Sequence, residues 1–160
     1  LLPITPFPLS HSWPLFECEQ RLGLARRLSR GQCVSLSELA DLRTINMEAL
    51  ARCRVGIWQC DLRDNSLKWS SGVYDLFGMP RGIAVCREDS LNCYEESSRA
   101  AMEELRSHAV KHRRGFTLDI AIQPVQGARR WVRLVAAPIC AEPGVAGLWG
   151  TKQDVTDQYC

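Results

Sequence analysis

The sequence predicts an α+β domain: a five-stranded antiparallel sheet with helices on one face, preceded by N-terminal helices. Three observations carry this. Residues 57–62 and 67–70 alternate like strands around the turn chemistry of Arg63-Asp64-Asn65-Ser66. Helical periodicity fills the middle of the chain. Three more alternating segments follow between Phe116 and Val155. The order, two strands, then helices, then three strands, is that of an antiparallel sheet with its helices inserted in the middle.

The elements follow in order. Residues 1–14 hold four of the eight prolines and predict an extended arm. Leu15, Cys18, Leu22 and Ala25 then fall on one helical stripe, with Gly31 as a stop. Ser35-Leu36-Ser37-Glu38 has capping-box spacing and opens a helix running to about Cys53. That helix has two apolar faces. Leu36, Leu39, Ala40, Met47, Leu50 and Ala51 form one, and Leu42, Ile45 and Ala49 the other. A helix at the edge of one domain needs one apolar face, so the second wants a further partner. Either the preceding helix folds back on it, or the patch of Leu15, Cys18, Leu22, Leu42, Ile45 and Ala49 meets its copy across a two-fold axis.

From Gly56 the texture changes, which divides the chain into an arm with helices (1–54) and a domain (55–158). Trp58, Cys60 and Leu62 share one side of the first strand. Ser70 or Ser71 is the expected cap of a short helix carrying Val73, Leu76 and Phe77, which Gly78 ends in a left-handed conformation. A helical turn is expected near residues 88–93. Ser97 or Ser98 opens a longer helix with the stripe Ala101, Met102, Leu105, Ala109 and His112, ended by Gly115. Phe116, Leu118, Ile120 and Ile122 alternate along the third strand. Trp131, Arg133, Val135 and Ala137 share one face of the fourth, and this face is expected to point inward. Glu142-Pro143-Gly144 fits a type II turn before the last strand, 145–155.

Composition bounds the function. The 160 residues are 46% hydrophobic and 24% charged, as in a globular protein, and the formal charge of +2 gives no field for nucleic acid or a membrane surface. No stretch approaches the ~20 apolar residues that span a bilayer. The apolar start is broken by Pro3, Pro6 and Pro8 and lacks a basic n-region, so it reads as a piece of a longer protein rather than a signal peptide. Eight cysteines include no C-x-x-C pair, which gives a zinc site little support. They are expected to be free, largely buried thiols in a reducing cytoplasm. No nucleophile elbow or phosphate loop is present. The pairs Arg113-Arg114 and Arg129-Arg130 read as solvated surface.

Four segments agree, in order and spacing, with one known family. Gly56-Ile57-Trp58-Gln59-Cys60-Asp61-Leu62 resembles the opening "G-x-W-x-x-D-L" strand of PAS domains. Val73-Tyr74-Asp75-Leu76-Phe77-Gly78 resembles the helix after their second strand, and Arg130-Trp131-Val132-Arg133 their "R-W-V-R" strand. Gly150-Thr151-Lys152-Gln153-Asp154-Val155-Thr156 resembles their closing "G-T-x-x-D-I-T". The likeness covers about residues 48–158. One departure is Glu95-Glu96-Ser97-Ser98, which stands where the family often has a His-Pro-Asp-Asp-like segment.

The resemblance implies a PAS/PAC-type sensory module of a larger bacterial signalling protein, with a histidine kinase or cyclic-dinucleotide enzyme as output and a homodimer as working state. It implies a cavity between sheet and helices. If the assigned faces point inward, Trp58, Cys60, Phe77, Leu105, Phe116, Leu118, Trp131 and Val135 line it. A small apolar ligand or a filled core would suit such a lining. Asp154 and Thr156 would form the signal exit, where an outgoing helix begins. Alternatives are a dimerisation module that senses nothing, and a haem or thiol redox sensor. His112 is the haem-ligand candidate, since the long helix borders the cavity in the family; the competing reading is a cationic group at a helix end. Asn92-Cys93 is similar to the flavin-binding LOV sequence only at those two residues, and no asparagine stands in 118–122, so flavin is not expected. No cofactor, metal or intrinsic catalysis is expected.

Overall fold

Register in the sheet decides which side chains face the helices. The structure, a computed structural model, describes residues 47–159. Helix α1 (Met47–Arg52) leads into β1 (Val55–Asp61) and β2 (Leu67–Trp69), which pair with Trp58 opposite Trp69. Helices α2 (Ser71–Phe77), α3 (Arg87–Asn92) and α4 (Glu96–His112) follow. The chain then forms β3 (Phe116–Ile122), β4 (Arg130–Ala141) and β5 (Gly144–Asp154), and ends in a single 3-10 turn, Thr156–Gln158. The strand order is β2-β1-β5-β4-β3, antiparallel throughout. The first strand therefore lies beside the last, and the helices between them cover one face.

The hairpin turn has Asn65 at φ 57°, and Asp64 Oδ1 accepts from the Ser66 N–H at 2.9 Å. Such left-handed conformations suit Asn, whose short polar side chain tolerates them. Ser70 occupies the N-cap of α2, yet its hydroxyl does not cap the helix. It accepts from the Ile57 N–H at 2.9 Å and ties the helix start to β1. Gly72 and Gly56 let this helix close on the strand. A Cβ on Gly72 would stand 2.4 Å from the Val55 carbonyl oxygen, and one on Gly56 2.4 Å from the Val73 nitrogen. Gly78 ends α2 in the left-handed region, as its place in the sequence predicts.

The longer helix departs from expectation at both ends. Glu95 is the N-cap residue, and the buried Ser98 hydroxyl instead accepts from the Ala121 N–H at 2.9 Å. The helix start is thus anchored to β3, where the Glu95 N–H also donates to the Ala121 carbonyl at 3.0 Å. At the other end Arg113, not Gly115, takes the left-handed position, with φ 53°. The β4–β5 connection is not a type II turn. Its Glu142–Pro143 bond is cis, Gly144 has no positive φ, and β5 begins at Gly144.

The face assignment of β4 is corrected. Val132, Leu134 and Ala136 join Phe116, Leu118, Ile120 and Ile122 in the core beneath the helices. Trp131, Arg133 and Val135 alternate with them and so lie on the opposite face of the sheet. Alternation alone could not choose, because β4 buries both of its faces along residues 134–139. β3 is buried at all seven positions. On the outer face Arg133 forms a double hydrogen bond to Asp119, both arms 2.7 Å, and the carboxylate is fully buried.

Cys60 and Cys93 are free and buried, Cys53 and Cys86 free and exposed. Cys140, expected as a free thiol, is disulfide-bonded. It sits at the register shift between Ile139 and Cys140, where regular β4–β5 pairing breaks. Leu15, Cys18, Leu22, Leu42 and Ile45 lie outside the described residues, and Ala49 falls within α1. Among the described residues no helix is long and apolar enough to cross a membrane.

Candidate functional site

A cavity of about 50 Å3 lies between the sheet and α3 and α4. Trp58 and Cys60 of β1 and Leu67 and Trp69 of β2 form one wall. Phe116, Leu134 and Leu148 contribute the apolar floor from β3, β4 and β5. The helical side supplies Arg87, Ser90, Leu91 and Tyr94, then Met102 and Arg106 from α4. The last lining residue is Lys152 of β5.

Lys152 is the residue that sequence reasoning missed. The motif containing it treats its position as variable, and an apolar lining was expected. Its register settles its direction. Lys152 pairs with the inward-facing Leu134 on β4 and with Gly56 on β1, so its side chain enters the core. It is 4% exposed. Its Nζ stands 4.5 Å from the Phe77 ring centroid, 5.4 Å from Trp69, 5.5 Å from Tyr94 and 5.7 Å from Trp58. Four aromatic faces thus surround one ammonium, an arrangement that stabilises a cation through the ring quadrupoles. Burial nevertheless pulls the lysine down to about 7, because desolvation penalises the charged form. The signal was present in principle. Leu148 is two even steps from Lys152 on one strand, so placing Leu148 in the core places Lys152 there too.

No carboxylate lines this cavity among the described residues. Arg87 forms its ion pair with Glu103, and Arg106 donates to Asn65 Oδ1 at 2.9 Å. The indole N–H groups of Trp58 and Trp69 are buried without a hydrogen-bond partner. Burial pushes the Cys60 and Cys93 thiols up, with Arg106 opposing at Cys60 and Lys152 at Cys93. Burial likewise raises the Tyr94 phenol, against a hydrogen bond with Ser90.

The other anticipated residues separate into three groups. Trp58, Cys60 and Phe116 line the cavity. Phe77 and Leu118 are fully buried in the same core, and Leu105 packs against it from α4, half-buried. Trp131, Val135 and His112 lie elsewhere. Trp131 stacks on Tyr159 on the outer face, centroids 4.3 Å apart and planes at 13°, with the Arg129 guanidinium 5.0 Å from its ring. His112 is exposed at the end of α4. It lies six residues past Arg106, a rise of about 9 Å along the helix, and its ring faces His108 at 4.3 Å. Its own desolvation, then His108 and neighbouring cations, lower its pKa. The packed apolar residues of α4 end at Ala109 and Val110, and the exposed His112 lies outside the cavity lining.

At the chain exit Asp154 Oδ1 accepts from the Thr156 N–H at 3.0 Å and from its hydroxyl at 2.6 Å. Thr156 Oγ1 in turn accepts from the Trp131 N–H at 3.1 Å. The Asp154 N–H donates to the Arg54 carbonyl at 3.0 Å, and the Arg54 guanidinium stands 4.0 Å from the Asp154 carboxylate. The ends of β1, β4 and β5 therefore meet at this turn.

No family model matches the chain. Among curated proteins it is 23% identical over 133 residues to a probable diguanylate cyclase, DgcE, of Escherichia coli K12, covering 79% of this chain and 12% of that one. The chain thus spans about an eighth of that relative's length. Among solved structures it resembles a sensory box histidine kinase/response regulator from Burkholderia thailandensis, with TM-score 0.60, 15% identity, and coverage of 70% of this chain and 85% of that one. It also resembles the N-terminal domain of a diguanylate cyclase with PAS/PAC sensor from Marinobacter aquaeolei. There the TM-score is 0.60, the identity 16%, and the coverage 66% and 99%.

Proposed function

The chain has the PAS fold, and from that premise we propose that it is a sensory domain of a larger bacterial signalling protein. Its output is a histidine kinase or a cyclic-dinucleotide enzyme, as in the three similar proteins described above. It works in the cytoplasm, for which the free Cys53, Cys60, Cys86 and Cys93 speak, and the Cys140 disulfide speaks against it. We assign it no catalytic step of its own. The working state is a homodimer through the N-terminal helices. Light scattering on the chain beside one starting at Glu48 tests this; two monomers at tens of micromolar would refute it.

One observation carries the sensory reading. The strand that places Lys152 in the cavity ends two residues later at Asp154, the residue that fixes the exit turn. An occupant that moves Lys152 acts on the same rigid strand that positions Asp154 and Thr156. Coupling of this kind needs a contiguous element that both sites bias. A dimerisation module with no ligand needs neither the cavity nor the buried lysine.

The test is a fusion of the chain to a diguanylate cyclase catalytic domain. Thr156→Val should change cyclase output several-fold while the melting temperature stays within a few degrees. Output indifferent to substitution at both Asp154 and Thr156 would refute a signalling exit at this turn.

A further inference from the structure

We propose that the cavity binds a short-chain carboxylate the size of acetate, its oxygens taken by Lys152 Nζ and the indole N–H groups of Trp58 and Trp69. The proposal rests on the sensory reading above and adds the chemical class of the ligand.

Polarity gives the first argument. Three hydrogen-bond donors belong to residues that line one space: the ammonium of Lys152, 4% exposed and set over aromatic rings, and the indole N–H groups of Trp58 and Trp69, which have no acceptor. Buried polar groups in native proteins are overwhelmingly paired, so an orphan donor calls for an explanation. An acceptor-only ligand satisfies all three, and an ionised carboxylate is acceptor-only with two oxygens. A neutral apolar guest would leave them all unmade.

Charge gives the second. Among the described residues, only Arg87 of the three cations lining the cavity is matched by a carboxylate, Glu103. Arg106 meets the neutral Asn65, and Lys152 meets aromatic rings. A monoanion neutralises the buried ammonium, and pairing is the usual condition for keeping a charge in a core.

Size gives the third. A water-sized group needs roughly 10–15 Å3 of cavity space, so the cavity of about 50 Å3 takes a guest of about four heavy atoms. The apolar floor of Phe116, Leu134 and Leu148 suits a methyl group and gives inorganic phosphate nothing to donate to.

The test is calorimetric titration of the full chain with sodium acetate at pH 6.5, against sodium chloride at matched ionic strength. Tryptophan fluorescence reports Trp58 and Trp69 in parallel. Acetamide, the neutral isostere, and inorganic phosphate are the comparison probes. Saturable acetate binding is expected, with acetamide and phosphate at least tenfold weaker and Lys152→Met binding acetate at least tenfold more weakly. Should Lys152→Met fail to fold, the wild-type pH dependence decides instead. Acetate affinity should fall at least tenfold from pH 6.5 to 8.5 as the lysine loses its proton. The other titratable groups of the lining are Cys60 and Tyr94, which burial keeps neutral through that range as it does the neighbouring Cys93, and the guanidinium groups of Arg87 and Arg106; Glu103 stands outside the lining, on Arg87. Equal binding of acetamide and acetate, tighter binding of phosphate, or no binding of any probe would each overturn the carboxylate assignment. The sensory reading is judged separately, by the exit substitutions in the fusion.

Discussion

The ammonium of Lys152 lies 4.5 Å from the centroid of the Phe77 ring, both residues inside the core. This relationship makes stability depend on pH in a direction unusual for a lysine. Burial lowers the folded-state value to about 7, while the unfolded chain keeps it near the ordinary 10.5. Between these values the unfolded state binds more protons, so stability rises with pH. The raised thiols of Cys60 and Cys93 act with the opposite sign, but only above their ordinary value of 9.0. Urea melts of the chain, free of acetate, should therefore show stability increasing between pH 6.5 and 8.5, by about 1–2 kcal/mol. Lys152→Met should remove that slope and raise stability at pH 6.5. A flat wild-type profile would place the ammonium in water.

Leu134 and Trp131 test the face assignment of β4. Leu134 is 2% exposed under the helices, and Leu134→Ala should cost about 2–5 kcal/mol, the range for a buried leucine. Trp131 is half-buried on the outer face against Tyr159. Trp131→Ala should cost about 1–2 kcal/mol, the scale of an aromatic pair with partial burial. Denaturant titrations of the two variants check the order. A larger loss at Trp131 than at Leu134 would reverse the sheet.

That reversal shows where the sequence was legible. Strands with one polar face, such as β1 with Gln59 and Asp61 opposite Trp58 and Cys60, can be oriented from alternation, and their faces stand as read. The hairpin, the Gly78 stop and the helical middle were likewise written in local chemistry. β4 was not, because it buries both faces and its pattern is apolar on each. Ser98 illustrates the same limit. Its capping chemistry is local, but a long-range partner, the Ala121 N–H, takes its hydroxyl. At the candidate site the aromatic wall was readable from Trp58 and Phe116. Lys152 was not, since a lysine at a sheet position reads as surface until the register of its neighbours is known.

Asp119 is fully buried and holds Arg133 through two 2.7 Å hydrogen bonds, while the Tyr159 hydroxyl donates at 2.6 Å to Oδ2, which also accepts one Arg133 arm. Removing one partner of a buried pair strands the other. Asp119→Ala should therefore destabilise by about 3–5 kcal/mol. The double variant Asp119→Ala with Arg133→Met should recover part of that loss. Thermal melts of the single and double variants decide; additive losses would mean that the pair does not act as a unit.

Thr156 links two strands through one oxygen. Its hydroxyl donates to Asp154 Oδ1 at 2.6 Å and accepts from the Trp131 N–H at 3.1 Å, which joins the end of β5 to the start of β4. Thr156→Val keeps the β-branched shape and deletes both bonds, whereas Thr156→Ser keeps the hydroxyl. A net hydrogen bond is worth about 0.5–1.5 kcal/mol. The Trp131 amide should accordingly exchange its hydrogen about 3–10 times faster in the valine variant and near the native rate in the serine variant. The neighbouring Val155 N–H, which donates to the Trp131 carbonyl at 2.9 Å, should accelerate with it, because both bonds close the same turn. Amides in the middle of β3, such as Leu118, should keep their rates, since they open only with the whole fold. Unchanged exchange at Trp131 in Thr156→Val would show that the hydroxyl does not hold the exit. Acceleration spreading evenly through β3 and β4 would show that the substitution destabilises the domain as a whole rather than the turn.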